Sequence, residues 1–455
     1  MKEPVQQSEG SATAVGGLSE GLFERAVHFL PGGVSRATIE RDPIPRYMEY
    51  GAGAYLVDVD GRRFLDLNGN FTTLIHGHAF PAVVDAVTEQ LKSGSCFANP
   101  TRFEIKLAEL LCDRIPYVER VRFVNTGTEA VMFAIKAARA YTGRSCIAKI
   151  EGAYHGSYDW AEVSQGAAPD SWGPTDRPHP TPGYSGTPHS VLEETLVLRF
   201  NAPDLARRLI AERAKELAAV IVDPMPGRPG LAPPDPEFVR ALHESCREYG
   251  IVLIADEVLN LRQGYHGASA RFGLEPDLIT MGKIIGGGLP IGAIGGRRDI
   301  MTVFDGGSGK AALPQSGTFS ANPISMVAGF ASMQALDKAS FDHLDRLGES
   351  VRSGFRRVIA EHGAPFSVSG AASLFRIHPS ATEPAEFRDA FLTSGKATLM
   401  RELSRHYAAN GVLLPSGTAA CLSTPMQESQ CETVVQLFAE FLHKYAGQLD
   451  KLRGS

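Results

Sequence analysis

The chain has 455 residues, 43% of them hydrophobic and 21% charged, a globular composition long enough for about two or three compact units. Lys plus Arg number 45 against 51 for Asp plus Glu, and the net charge of −6 leaves none of the basic footprint of a nucleic-acid binder. No apolar run approaches the roughly 20 residues of a membrane span, and six cysteines without a C-x-x-C pair form no disulfide framework, so reduced thiols in a cytoplasmic protein are expected.

Residues 1–18 are polar, lack a signal-peptide apolar segment and read as a disordered tail. The following "SEGLFERAVHFLPGGVSR" predicts a short amphipathic helix with Leu22, Ala26 and Phe29 on one face, stopped by Pro31-Gly32-Gly33. "AYLVDVDGRRFLDL" alternates apolar and polar residues across Asp60-Gly61 and predicts a β-hairpin. In "HGH", His76 and His78 have no Cys or acidic partner close by, and no metal site is expected.

From about residue 85, helices alternate with short apolar strands. "AVVDAVTEQL", "IKLAELLCDRI", "TEAVMFAIKAARAYTG" and "PEFVRALHESCREYG" read as helices, with Gly143 stopping the third and Asp235 capping the fourth. "VRFVNTG", "CIAKI", "LAAVIVDP", "IVLIADEV" and "DLITMGK" read as strands. Continuous apolar strands between helices predict an α/β fold whose mostly parallel sheet is covered on both faces. Residues 164–192 are rich in Pro, Gly, Ser and His without periodicity, the pattern of a functional lid or a disordered segment. Beyond about Asp337 helices and short strands mix as in a small α+β unit.

Ligands of open α/β sheets bind beyond the carboxyl ends of the strands, and three ends here carry unusual residues. Asn125-Thr126-Gly127-Thr128 ends a strand and opens a helix, which makes either an anion site of free backbone amides or ordinary capping by Thr126 or Thr128. Asp256 follows an interior strand and needs a cationic or hydrogen-bonding partner, which a structural salt bridge would also supply. Lys283 is the one charged side chain in "LITMGKIIGGGLPIGAIGG"; burial would free its amine as a nucleophile, unless it snorkels to water or pairs with a carboxylate. Together, an amine nucleophile, a buried carboxylate and a phosphate cradle match pyridoxal 5′-phosphate, which needs a Schiff-base lysine, an acid partner for its ring nitrogen and a phosphate anchor.

The motifs "PGGV", "GAYLVDVDG", "NTGTEA", "GAYHGSYD", "ADEV", "PDLITMGKIIGGGLPIGAIGG" and "SGTFSANP" resemble, in order, those of class III aminotransferases, in the branch similar to glutamate-1-semialdehyde aminomutase. The resemblance covers about residues 20–450 and implies a fold-type I pyridoxal-phosphate transferase. It implies a large domain at 85–336 with a mostly parallel, seven-stranded sheet. The small α+β domain would combine an N-terminal segment at 19–84 with residues 337–455. It further implies that Lys283 forms the Schiff base and shuttles the proton, and that Asp256 pairs with the pyridinium nitrogen. Gly127 and Thr128 would hold the phosphate, Tyr154 of "YHG", beside His155, would stack on one ring face, and Val258 would pack on the other. Gly317-Thr318 would reach the phosphate of a neighbouring subunit, making a homodimer with shared sites. Glu129 is expected to serve structure.

Several substrate-facing segments depart from the aminomutase pattern. "PGGVSRATIER" replaces "PGGVNSPVR", Asp223-Pro224 replaces Glu-Pro, Arg228 stands where Asn is usual, and Leu259-Asn260-Leu261 replaces Met-Thr-Gly or Gln-Thr-Gly. "LLPSGTAACLST" lacks the expected glutamate. The "GVSR" turn resembles that of β-amino-acid and aromatic amino-acid aminotransferases, making Arg36 either a candidate anchor for a substrate carboxylate or a surface arginine in a loop, and Arg228, which follows a strand end near the cofactor, is the second candidate anchor. Phe71, Tyr158 and Trp160 are either pocket-lining or packing residues. The expected activity is transfer of an amino group between a carboxylate-bearing amino acid, β- or aromatic, and a 2-oxo acid in two half-reactions; the alternative is an intramolecular 2,1-aminomutase. A dinucleotide-binding oxidoreductase is disfavoured, because the glycine run lacks G-x-G-x-x-G.

Overall fold

The computed structural model describes residues 17–447 except 42, 308 and 418. Residues 1–16 of the expected tail lie outside the described residues, while Gly17 and Leu18 already begin a helix, Gly17–Ala26. That helix ends before the predicted stop. Residues 27–30 leave the helical phase, so Phe29 does not share a buried face with Leu22 and Ala26 and is 85% exposed.

The strands in the N-terminal part are β1 (Met48–Ala52), β2 (Tyr55–Asp58) and β3 (Arg63–Asp66). The central strands are β4 (Arg120–Val124), β5 (Cys146–Ile150), β6 (Thr195–Leu198), β7 (Leu217–Val222), β8 (Val252–Asp256), β9 (Leu278–Gly282) and β10 (Gly292–Gly296). Last come β11 (Ser367–Ser369), β12 (Leu374–His378), β13 (Val412–Leu413) and β14 (Ala420–Cys421). The central sheet has the order β4-β10-β9-β8-β7-β5-β6, parallel from β9 to β6, with β10 antiparallel to both its neighbours. Every residue of β5, β7, β8 and β9 is buried, as unbroken apolar runs require of a sheet covered on both faces. Helix Gly127–Thr142 covers one face with Ala130, Val131, Ala134, Ile135 and Ala138, ending on left-handed Gly143. Asp235 caps helix Pro236–Tyr249 through a 2.7 Å bond from the Glu237 amide.

Strand β10 escaped the sequence reading because glycine has little strand propensity. Its glycines are explained by crowding instead. A Cβ on Gly292 would lie 2.0 Å from the Thr126 carbonyl oxygen, and one on Gly296 would lie 2.3 Å from that of Asp277. Gly292 pairs with Val124 on one side and Gly282 on the other, so β10 sets the spacing between the helix start at Gly127 and Lys283. Gly292→Ala is expected to cost about 1–3 kcal/mol of stability, as overpacking does, which thermal or denaturant unfolding would measure.

The predicted hairpin forms, with Tyr55 opposite Leu65 and Val57 opposite Arg63. Strand β13 runs parallel to β3, pairing Val412 with Leu65, and this joins the two ends of the chain in one four-stranded sheet. Strands β11, β12 and β14 form a third sheet, against which helices Lys338–His362 and Glu428–Lys444 complete the C-terminal part. The irregular stretch at 164–192 is held in place. Arg388 donates to the carbonyls of Trp172 and Gly173, both at 2.9 Å, and the Trp172 ring meets Phe387 and Phe391 edge-on. Arg388 also makes a two-pronged ion pair, at 2.8 and 3.0 Å, with fully buried Glu151 at the end of β5.

Candidate active site

The carboxyl ends of β4, β5, β8 and β9 open on one edge of the sheet and deliver the groups singled out in the sequence. Asp256 ends β8 opposite Thr280 of β9, and this register places the Thr280 hydroxyl 2.9 Å from Asp256 Oδ1. The Val258 amide donates to the same oxygen at 3.1 Å, and His155 Nδ1 lies 2.7 Å from Oδ2. Burial alone would raise this carboxyl's pKa, but the His155, Val258 and Thr280 donors outweigh it and hold it below the usual aspartate range. Burial pushes the His155 imidazole in the direction of neutrality despite its carboxylate neighbour. The pair is therefore an anionic aspartate and a neutral imidazole donating from Nδ1. His155 Nε2 is buried without a partner, and among the described residues no lysine or arginine forms a salt bridge with Asp256.

Lys283 sits immediately after β9 with φ of 49°, a left-handed conformation costly for any residue but glycine. Burial lowers its amine pKa against the opposing pull of Asp256 and Asp223. A second lysine, Lys149, is wholly buried and its pKa falls to about 7, chiefly through desolvation. Its amine donates to the carbonyls of Ile150, Ala153 and Val163, which fixes it behind the "GAYHG" loop.

At the start of helix Gly127–Thr142, Thr126 Oγ1 accepts the Glu129 amide at 3.0 Å, leaving the Gly127 and Thr128 amides without a protein partner among the described residues. Glu129 turns back to accept the Asn125 amide at 2.7 Å, the expected structural role. A Cβ on Gly127 would lie 2.8 Å from Val258 Cγ1, and one on Gly156 would lie 2.4 Å from Thr128 Oγ1. Both glycines thus clear space around the helix start, and Val258 fills the gap between Gly127 and Gly282. Tyr154 is 48% exposed beside this opening.

Two departures noted in the sequence prove to be partners. Buried Asp223 accepts from the Asn260 side-chain amide and, at 2.9 Å, from the Met225 amide. Burial and the nearby Asp256 charge push its pKa well above the usual value, whereas Asp256 is depressed. The two neighbouring carboxyl groups are thus shifted in opposite directions by their surroundings.

The structure does not bring every candidate to Lys283. Thr318 is exposed on a loop and has no hydrogen bond to these groups among the described residues. Arg228 is exposed, with its guanidinium 5.0 Å from the Tyr154 ring centroid and Nη1 donating to the Gln165 carbonyl at 3.1 Å. Arg36 lines a separate cavity of about 980 Å³ with Asp66, Asn70, Phe71 and His78, to which Lys283 does not contribute. Its Nη1 donates to Asn70 Oδ1 at 2.9 Å and its guanidinium lies 5.6 Å from the Phe71 centroid. Tyr158 and Trp160 pack together at 5.1 Å against the core around Ile135, and Trp160 Nε1 bonds Glu194, so they are packing residues. His78 pairs with Asp66 at 2.8 Å and His76 stacks on Phe80; no metal-binding cluster occurs among the described residues.

Sequence reasoning missed the hydroxyl of Thr280, the Asp223–Asn260 pair, and fully buried Arg262, which donates to Thr72 O at 2.9 Å, Ser373 Oγ at 3.0 Å and Leu422 O. It also missed a left-handed turn: Gly69, Asn70, Phe71 and Thr72 have φ of 54°, 51°, 55° and 70°. For the three non-glycine residues this costs about 1–2 kcal/mol each. Only the pairing of β8 with β9 could have exposed Thr280, since nothing in its own neighbourhood marks it.

The class III aminotransferase family matches residues 37–441. The chain belongs to the class III aminotransferases. An ω-transaminase from Sphaerobacter thermophilus is 47% identical to this class III chain and superposes with a TM-score of 0.91, over 93% of this chain and 97% of that one. A β-phenylalanine aminotransferase from Variovorax paradoxus is 31% identical, with a TM-score of 0.83 over 95% of each chain. A glutamate-1-semialdehyde 2,1-aminomutase from Methanothermobacter thermautotrophicus is 36% identical over 431 residues, 93% of this chain and 98% of its own length. Class III aminotransferases are enzymes of fold type I whose cofactor is pyridoxal 5′-phosphate. No helix among the described residues is long and apolar enough to cross a membrane.

Proposed function

We propose that this class III enzyme is a transaminase that moves an amino group from a carboxylate-bearing amine, a β- or aromatic amino acid, to a 2-oxo acid in two half-reactions. The observation that supports a carboxylate-bearing substrate is Arg36, a guanidinium fixed by Asn70 and Phe71 on a cavity wall with no carboxylate in a salt bridge with it among the described residues. Such a group is ready to take a substrate carboxylate in a two-pronged contact. The likeness to an ω-transaminase and a β-phenylalanine aminotransferase supports the same reading. The likeness to an aminomutase keeps the intramolecular shift as the competing one.

The residues present fit the cofactor. A depressed, triply hydrogen-bonded Asp256 has room for a cationic ring nitrogen, the free Gly127 and Thr128 amides stand at a helix N-terminus suited to a phosphate, and Lys283 has an amine that burial disposes to lose its proton. When bound, pyridoxal phosphate supplies the carbonyl that takes the amine and a ring that spreads the negative charge left on the substrate carbon. Asp256 would keep the ring nitrogen protonated, and His155 holds Asp256 in its anionic state and orientation. Val258 would press on one ring face and Tyr154 on the other. Lys283 Nζ would hold the cofactor at rest and then carry the proton from the substrate carbon. Arg228, stacked on Tyr154, is the second carboxylate anchor of this proposal. Thr318, exposed on its loop, is assigned to the phosphate of a second subunit in a homodimer, and the enzyme to the cytoplasm.

The test is nitrogen bookkeeping. With a ¹⁵N-labelled β-amino acid and an unlabelled 2-oxo acid, the label is expected in the amino acid formed from the oxo acid. Label that moves to the neighbouring carbon of its own skeleton, with none in an amino acid formed from the oxo acid, would instead support the mutase. Arg36→Ala is expected to raise KM for the carboxylate-bearing donor roughly 10- to 100-fold, as loss of a hydrogen-bonded charge contact does.

A further inference from the structure

The left-handed turn at Gly69–Thr72 carries both groups that hold Arg36, and it is braced from several sides. Asp66 Oδ1 accepts the amides of Asn68 and Gly69 at 2.9 and 3.1 Å, and Asn68 Oδ1 accepts the Phe71 amide at 2.6 Å. Fully buried Arg262 donates to Thr72 O at 2.9 Å. The Thr72 hydroxyl is buried without a partner, and a Cβ on Gly69 would sit 3.1 Å from Cys421 Sγ. Asn70 tolerates the left-handed region and the Asp66 and Asn68 side chains bond the turn locally, but Phe71 and Thr72 gain nothing from positive φ on their own, so the full conformation also depends on its distant surroundings. What it achieves is visible at its outer side: Asn70 Oδ1 meets Arg36 Nη1 at 2.9 Å, and the Phe71 ring lies beside the same guanidinium. A right-handed or extended turn would send these two side chains elsewhere. On its inner side the turn is fastened by Arg262, which belongs to the segment that follows Asp256 and whose charge acts on Lys283.

We propose that this turn is a specificity device: Asn70 and Phe71 are positioning residues that hold Arg36 in the pose that takes a substrate carboxylate, and Arg262 clamps the turn to the segment bearing Asp256. The inference rests on the carboxylate-anchor role of Arg36. Asn70 is the right residue to probe, because glycine accepts the left-handed conformation while removing the amide. Asn70→Gly therefore keeps the turn and loses only the grip on Arg36.

The experiment compares the holoenzyme and its variants on two donors that differ only in the carboxylate, 3-amino-3-phenylpropanoate and 1-phenylethylamine. Asn70→Gly is expected to raise KM for the first about 10-fold, with kcat nearly unchanged, KM for the second unmoved and the melting temperature not lowered. In a double-mutant cycle, Asn70→Gly added to Arg36→Ala should change nothing further. Asn70→Ala, which removes the amide and also strains the turn, is expected to lower the melting temperature in addition. If Arg36→Ala raises KM for the acid and Asn70→Gly leaves it unchanged, the turn is not a positioning device and this inference alone is overturned. If Arg36→Ala leaves the KM ratio of the two donors unchanged, the carboxylate-anchor reading falls and takes this inference with it.

Discussion

Lys283→Ala is expected to slow amino transfer about 10⁴-fold or more, the full scale of a lost general base with the loss of the covalent hold added. β9 is buried throughout and fixes the chain up to Gly282, and Lys283 follows directly in a left-handed conformation. Burial then shifts the balance toward the neutral amine, the form that attacks a carbonyl and accepts a proton. Lys149, the other lysine with a lowered pKa among the described residues, cannot replace it, because its amine is spent on the carbonyls of Ile150, Ala153 and Val163. The check is a single-turnover half-reaction with the amino acid alone. Partial rescue by a small added amine would separate the proton role of Lys283 from its role in holding the cofactor.

Asp256→Asn is expected to lower kcat/KM by about 10²–10⁴-fold, which corresponds to the roughly 3–5 kcal/mol lost when one partner of a buried charge pair is removed. The substitution is nearly isosteric, so the packing of β8 survives and the effect is electrostatic. An amide presents no charge to hold a ring nitrogen protonated. It also spoils the local donor pattern, because His155 Nδ1 donates to Oδ2 while Val258 N and Thr280 Oγ1 both donate to Oδ1. With the amide oxygen in the Oδ1 place, its NH2 faces His155 Nδ1, which can accept only by moving the imidazole proton to Nε2. The cofactor should be held more weakly as well, which dialysis followed by absorbance of the retained cofactor would show.

Much of this site was legible because its chemistry is written in residue types that apolar strands do not otherwise tolerate. Asp256 and Lys283 stood out against buried β8 and β9, and the small residues after β4 marked a helix start with free amides. Helix boundaries followed capping signals such as Asp235 and Gly143. Strand β10 was not legible, since its glycines answer to crowding by Thr126 and Asp277 from distant parts of the chain. Asp223 and Asn260 each appeared in the sequence as an isolated departure, and only the fold shows that they bond to each other. The left-handed turn at residues 69–72 was invisible for a further reason: Phe71 and Thr72 carry no local propensity for it, and part of the restraint comes from Arg262, far away in sequence.

The most direct test of the account is to map the lysine that bears the cofactor. Treatment of the pyridoxal-phosphate enzyme with borohydride, followed by digestion and mass spectrometry, should place the reduced cofactor on the peptide containing Lys283. An adduct on Lys149, or on no lysine at all, would contradict it.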